Sequence, residues 1–129
     1  MRSDRVILTV PAKSEFAKTA RMTVSELASR IGMSYDEVDD VRMAAEEAFI
    51  YATARVDDGD VTFLLELLED GICITVGPFA AGADAGSQDE AQDRYSAFIL
   101  ESVCDEFEIS QGSEGGVLRL VRRMGESGA

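Results

Sequence analysis

The order of periodic segments along this 129-residue chain predicts an α+β fold. The expected form is a two-layer sandwich, with a mixed, mostly antiparallel sheet and helices on one face. Three observations predict it. A helix without a breaker fills residues 35–55. An alternating hairpin follows over residues 61–76. The full order is strand, two helices, hairpin, helix, strand pair, so hairpins join the strands while the helices segregate to one side.

Each element has its own signal. Residues 5–10, Arg-Val-Ile-Leu-Thr-Val, read as a strand closed by Pro11. Residues 14–31 read as a helix, because Phe16, Ala20, Val24, Leu27 and Ile31 share one helical face. Gly32 ends it. Arg21 lies just off that face, either as a solvated arginine or as a partner contact. In the second helix Ser34 and Glu37 form a capping box. At about 100° per residue, Val38, Val41, Ala45, Ala48, Phe49 and Ala52 make one stripe, expected to pack on the sheet. Met43, Ile50 and Ala54 make a second stripe nearly opposite. The solvated sector is narrow: Arg42, Glu46 and Thr53, with Asp39 at its edge. Glu47 lies outside it, between Met43 on one side and Ala44 and Tyr51 on the other. Such a carboxylate either reaches water from the helix edge or is hydrogen-bonded with a shifted pKa.

Asp57-Asp58-Gly59-Asp60 is a turn. Residues 61–68 alternate Val61, Phe63, Leu65 and Leu67 against Thr62, Leu64, Glu66 and Leu68, a strand with a largely covered second face. Asp70-Gly71 is a two-residue hairpin turn, and residues 72–76 return. Residues 77–94 are rich in Gly, Ala, Asp and Gln and exceed the usual connection of at most about 12–15 residues. They form either a lid-like loop or a disordered insert, with four acidic and no basic residues over 84–93. A short helix over 95–103 uses Phe98, Ile99 and Val103 as apolar contacts. Residues 105–110 and 117–123 form a last strand pair about a turn at 111–116. Residues 125–129 are a flexible tail. With no internal repeat, residues 1–129 read as one domain.

Composition narrows the function. A net charge of −13 argues against a nucleic-acid partner, because phosphate contacts need a basic face. The charge is uneven: residues 1–31 hold six basic and three acidic residues, whereas residues 32–129 hold six basic and 22 acidic. That asymmetry suits a charged partner as well as simple solubility. No run of 18 apolar residues exists to span a membrane, and residues 1–13 lack a signal-peptide core, so the cytoplasm is expected. Cys73 and Cys104, without CxxC spacing, read as unpaired buried thiols. The chain has no histidine, which removes imidazole-based triads and metal sites; no metal centre is expected.

The string Asp40-Val41-Arg42-Met43-Ala44-Ala45-Glu46-Glu47-Ala48-Phe49-Ile50-Tyr51-Ala52 resembles the N-box helix of the anti-sigma-factor serine kinases, members of the GHKL superfamily of histidine-kinase-like ATPases. The resemblance covers about residues 5–123 and implies the two-layer fold above. It also implies ATP and Mg²⁺ as cofactors of a working site, with Glu47 as general base or water-positioning group. An Asn holds Mg²⁺ four residues after that Glu in the family; here the position is Tyr51, a poor ligand for a hard cation. The family's adenine-reading Asp would fall in Gly77-Pro78-Phe79-Ala80-Ala81-Gly82, with Pro78 in its place and Gly82 as a family-like glycine. The phosphate-cradling Gly box would fall at residues 94–100, which contain no glycine. Gly115 and Gly116 keep the family look, although a turn explains them equally.

The resemblance further implies a sigma factor or an anti-anti-sigma factor as partner, and dimerisation through the first strand and first helix. Arg21, in Ala20-Arg21-Met22-Thr23-Val24, matches a partner-contacting arginine of the family, and Arg suits forked contacts to carboxylates. The expectation is thus a regulatory protein that sequesters a sigma factor or related partner by binding. Its nucleotide site (Glu47, Tyr51, Pro78, Gly82, Gly115, Gly116) is vestigial and needs no cofactor. The alternatives are an active serine-protein kinase and a scaffold holding another ligand in the old pocket.

Overall fold

A computed structural model describes residues 4–79, 90–112 and 115–125. Strand β1 is Asp4–Pro11; a 3₁₀ turn, Ser14–Phe16, leads into α1, Ala17–Arg30. Helix α2 is Tyr35–Thr53, β2 is Asp60–Leu67, β3 is Gly71–Phe79, α3 is Glu90–Val103, β4 is Glu106–Gly112 and β5 is Gly115–Arg123. The strands form one open sheet in the order β1-β2-β3-β5-β4. Every pairing among the described residues is antiparallel, so the expected parallel component is absent from them.

The period-two pattern sets the register. Phe63, Leu65 and Leu67 of β2 stand opposite Val76, Ile74 and Ile72 of β3, and Ile74 and Val76 stand opposite Leu120 and Leu118 of β5. A one-residue slip would turn this whole set to solvent. The same side receives α2, whose Val41, Ala44, Ala45, Ala48, Phe49 and Ala52 are buried. The Phe49 ring stacks on Phe63 with centroids 6.4 Å apart. Helices α1 and α3 both pack along α2 and have little contact with each other.

The other face of the sheet is open, contrary to the expectation of a largely covered second face for β2. Thr62, Leu64 and Glu66 are only half-buried. Polar cross-strand pairs line this face: Thr9 with Thr62 at 3.0 Å, Arg5 with Glu66 at 3.4 Å and Arg123 with Glu106 at 2.7 Å. Two further expectations shift. Strand β3 runs on through Pro78 to Phe79, and α3 begins at Glu90 rather than at residue 95, so the lid-like stretch contracts to residues 80–89, outside the described residues. Both cysteines are free; Cys73 is buried and Cys104 half-buried, and desolvation pushes the Cys104 thiol up to about 12. None of the described helices is long and apolar enough to cross a membrane.

The capping box of α2 is fully made. Glu37 N–H donates to Ser34 Oγ at 3.1 Å, and Ser34 N–H donates to Glu37 Oε1 at 2.8 Å. The Gly125 amide also donates to Glu37, tying the chain after β5 to the start of α2, and these amides hold the carboxyl below its usual range. Replacement Ser34→Ala is expected to cost about 1 kcal/mol, read as a lower urea midpoint with an unchanged slope. An unchanged midpoint would show that the box does not secure the helix.

Candidate functional site

Glu47 sits midway along α2 and faces α3. Ser96, only 1% exposed, donates its hydroxyl to Glu47 Oε1 at 3.0 Å, and Gln92 Nε2 donates to Ser96 Oγ at 3.3 Å. Of the two readings the sequence allowed, the carboxylate is therefore hydrogen-bonded rather than reaching free into water. Burial raises its pKa, the Ser96 hydroxyl opposes that shift, and the adjacent Glu46 charge adds to it.

One and two turns on, Tyr51 and Arg55 continue the same stripe. The Tyr51 ring meets Phe79 edge-on at 5.7 Å between centroids, and the Arg55 guanidinium carbon lies 3.5 Å from the Tyr51 ring centroid. Arg55 also forks onto Asp93 of α3, with Nη2 to Oδ2 at 2.6 Å and Nη1 to Oδ1 at 3.3 Å. Its side chain is only 10% exposed. Burial raises the Tyr51 phenol above its ordinary value, so it stays neutral. The first turns of α3 are thus pinned at two points, Ser96 on Glu47 of α2 and Asp93 on Arg55 just beyond its end.

The glycine pair serves the fold at this end of the sheet. Gly115 has φ +128°, a conformation that favours glycine, and a Cβ on Gly116 would come within 2.5 Å of the Phe79 ring. Phe79 therefore occupies the room over Gly116. Pro78 follows a cis peptide bond from Gly77 and is exposed, and Gly82 lies outside the described residues. Residues 94–100, where the family's phosphate-cradling box would fall, lie within α3, in keeping with the helix expected over 95–103. No group of three or more Cys, Asp or Glu among the described residues is arranged to hold a metal ion.

Arg21 stands apart from this cluster. Its Nη1 donates to Glu46 Oε1 of α2 at 2.7 Å, with side-chain exposures of 27% and 40%. Glu46, read as solvated, is therefore half of an interhelical ion pair. The structure brings Glu47 and Tyr51 together on one face of α2, with Phe79 linking Tyr51 to Gly116, and leaves Arg21 on the α1 side. Sequence reading did not single out Ser96, Arg55 or Asp93. The spacing Glu47, Tyr51, Arg55 at four-residue steps was a signal for Arg55, and a small serine between bulky neighbours was one for Ser96.

Because the folded pKa of Glu47 is raised above its ordinary 4.5, the native state holds its proton longer than the unfolded chain as pH rises past that value. Glu47 then lowers stability as pH climbs toward neutrality, and Glu47→Gln should flatten that slope in urea titrations taken across the window; a slope identical to the parent would refute the burial. Arg55→Ala should cost about 2 kcal/mol and speed amide exchange in α3 but not in α1. Equal exchange in both helices would place the ion pair outside the packing of α3.

Residues 10–122 match the histidine kinase-like ATPase domain. The chain is 31% identical over 120 residues to the serine-protein kinase RsbW of Bacillus licheniformis, covering 89% of this chain and 70% of that one. It is 28% identical over 135 residues to the RsbW of Halalkalibacterium halodurans, covering 92% and 83% respectively. To the RsbW of Listeria monocytogenes serotype 4b it is 30% identical over 102 residues, and it spans 65% of that relative's length. The matched region runs from the last residues of β1 nearly to the end of β5 and includes the whole helix that carries Glu47. The chain belongs to the histidine-kinase-like ATPase domain family and, within it, to the anti-sigma-factor serine kinases.

Proposed function

We propose that this protein regulates a sigma factor, or a related partner, by binding it, and that binding needs no nucleotide. The observation that carries the reading is the seating of α3 on α2. Ser96 bonds Glu47 Oε1 and Asp93 forks onto Arg55, on the face of α2 where a cleft for a triphosphate would have to open. Other features support it. The adenine-reading carboxylate is replaced by Pro78, the Asn position is a neutral Tyr51 held between Phe79 and Arg55, and Phe79 fills the space over Gly116. The residues present do not fit Mg²⁺-ATP, and no chemical step is assigned to it.

The partner surface in this proposal centres on Arg21. Among the described contacts only its Nη1 is engaged, by Glu46, so the rest of the guanidinium fork remains for a carboxylate on the partner. The more basic segment of residues 1–31 surrounds it. In this reading occlusion requires only that the partner be held against this face of α1.

A second reading, a serine kinase acting on an anti-anti-sigma factor, is favoured by one feature: Glu47 is retained with a raised pKa, which suits a general base. In that reading α3 has to move away before substrate reaches the carboxylate.

The test is binding of candidate sigma factors to the purified chain by surface plasmon resonance, in nucleotide-free buffer with chelator. Capture is expected without ATP, and Arg21→Glu should weaken it by at least about tenfold, since truncating or reversing one partner of an interfacial charge pair costs about 2 kcal/mol or more. No capture of any sigma factor, or full affinity in Arg21→Glu, would refute the occlusion reading.

A further inference from the structure

The ion pair that joins α1 to α2 is built to open. Arg21 Nη1 donates to Glu46 Oε1 at 2.7 Å, and the side-chain exposures are 27% and 40%. Among the described contacts Glu46 engages the guanidinium through this one donor, without the fork that makes an arginine–carboxylate contact strong. A pair this wet favours its closed form over the open one by no more than roughly fivefold. Glu46 also has a second cation within reach. Arg42 lies four residues earlier on α2, one helical turn away, and is exposed. Its bonded neighbour Asp39 raises the Arg42 pKa, and the Glu46 charge adds to that shift. The surface beside the pair is apolar and open: Met22, next to Arg21, is 59% exposed, and Met43, one turn before Glu46, is 38% exposed.

We propose that Glu46 is an internal competitor for the partner's carboxylate: it holds Arg21 in the free protein, and a partner binds by displacing it from the guanidinium. The inference rests on the sigma-binding reading of Arg21. A partner carboxylate first meets the free Nη2. Completing an end-on fork also needs Nη1, the donor that Glu46 holds. Leaving Glu46 in place would set two carboxylates on one cation, in a chain whose net charge is already −13. A partner that covers Met22 and Met43 also removes water from the pair, which strengthens that repulsion. Displacement is therefore the favoured course, and Glu46 then turns to Arg42. The exchange selects the partner as well. A neutral amide or hydroxyl cannot replace the charge that Glu46 takes away, so only a carboxylate able to fork displaces it. Glu46 is thus a specificity-determining residue of the partner surface.

Surface plasmon resonance with the same candidate sigma factors tests the exchange, on the parent chain, Glu46→Gln, Arg21→Glu and the double variant Arg21→Glu/Glu46→Arg. Circular dichroism checks the fold of each. Glu46→Gln should bind about three- to tenfold tighter than the parent, because Arg21 is then free. The double variant rebuilds the ion pair with its signs exchanged. It should bind no better than Arg21→Glu, because the partner then meets a carboxylate at position 21. A pair that only holds α1 on α2 gives the opposite pattern, in which Glu46→Gln weakens binding and the double variant recovers it. Either of those results overturns the proposal, as does Glu46→Gln with the affinity of the parent. If Arg21→Glu still weakens binding in that case, the sigma-binding reading stands and the exchange alone fails. Capture by none of the four chains overturns both.

Discussion

A carboxylate turned toward a neighbouring helix must be met by a donor or give up its charge, and this constraint at Glu47 organises the surroundings of α2. Ser96 meets it directly, and Gln92 in turn donates to Ser96. Eight residues on, just past the end of α2, the demand reverses: the buried guanidinium of Arg55 needs a carboxylate, and Asp93 supplies it. The two contacts have opposite polarity and lie about one turn apart on α3. Together they orient that helix antiparallel to α2 and set its depth, since sliding α3 by one turn would leave a buried charge unmatched at a cost of several kcal/mol. The apolar burial of Leu100 is compatible with this seating but less directional.

The other side of α2 meets α1 by different means. Ala20, Val24 and Ala28 of α1 are fully buried, and one ion pair, Arg21 with Glu46, joins the two helices. Glu46 and Glu47 are consecutive in sequence but answer to different helices. Neutralising Glu46 with Arg21 limits the repulsion that its charge exerts on Glu47. A cation on α1 and a hydroxyl on α3 thus make it possible for two adjacent carboxylates to sit on the central helix of an acidic protein.

Much of this was legible in the sequence. Strand alternation, the Asp70-Gly71 turn and the Ser34/Glu37 box depend on neighbours within a few residues, and the resemblance to the family supplied the order of the whole. The beginning of α3 was not legible, because residues 90–94 have no apolar period, and Gln92 and Asp93 make polar contacts there. The Arg55–Asp93 pair joins residues 38 apart, and neither residue signals its partner. The narrow solvated sector of α2 singled out Glu47 but left open whether it reaches water or a donor; that Ser96 would meet it could not be read. The aromatic face of α3 was misread for the same reason: Phe98, expected as an apolar contact, is 67% exposed, and exposed and buried aromatic residues look alike until the helix has been docked.

In the proposed reading, α3 lies against Glu47 where a nucleotide would have to bind. Isothermal titration calorimetry of the purified chain with Mg²⁺-ATP tests it most directly, with Glu47→Ala as the companion variant. The account predicts no saturable heat in either protein. Saturable binding in the micromolar range that disappears in Glu47→Ala would contradict it.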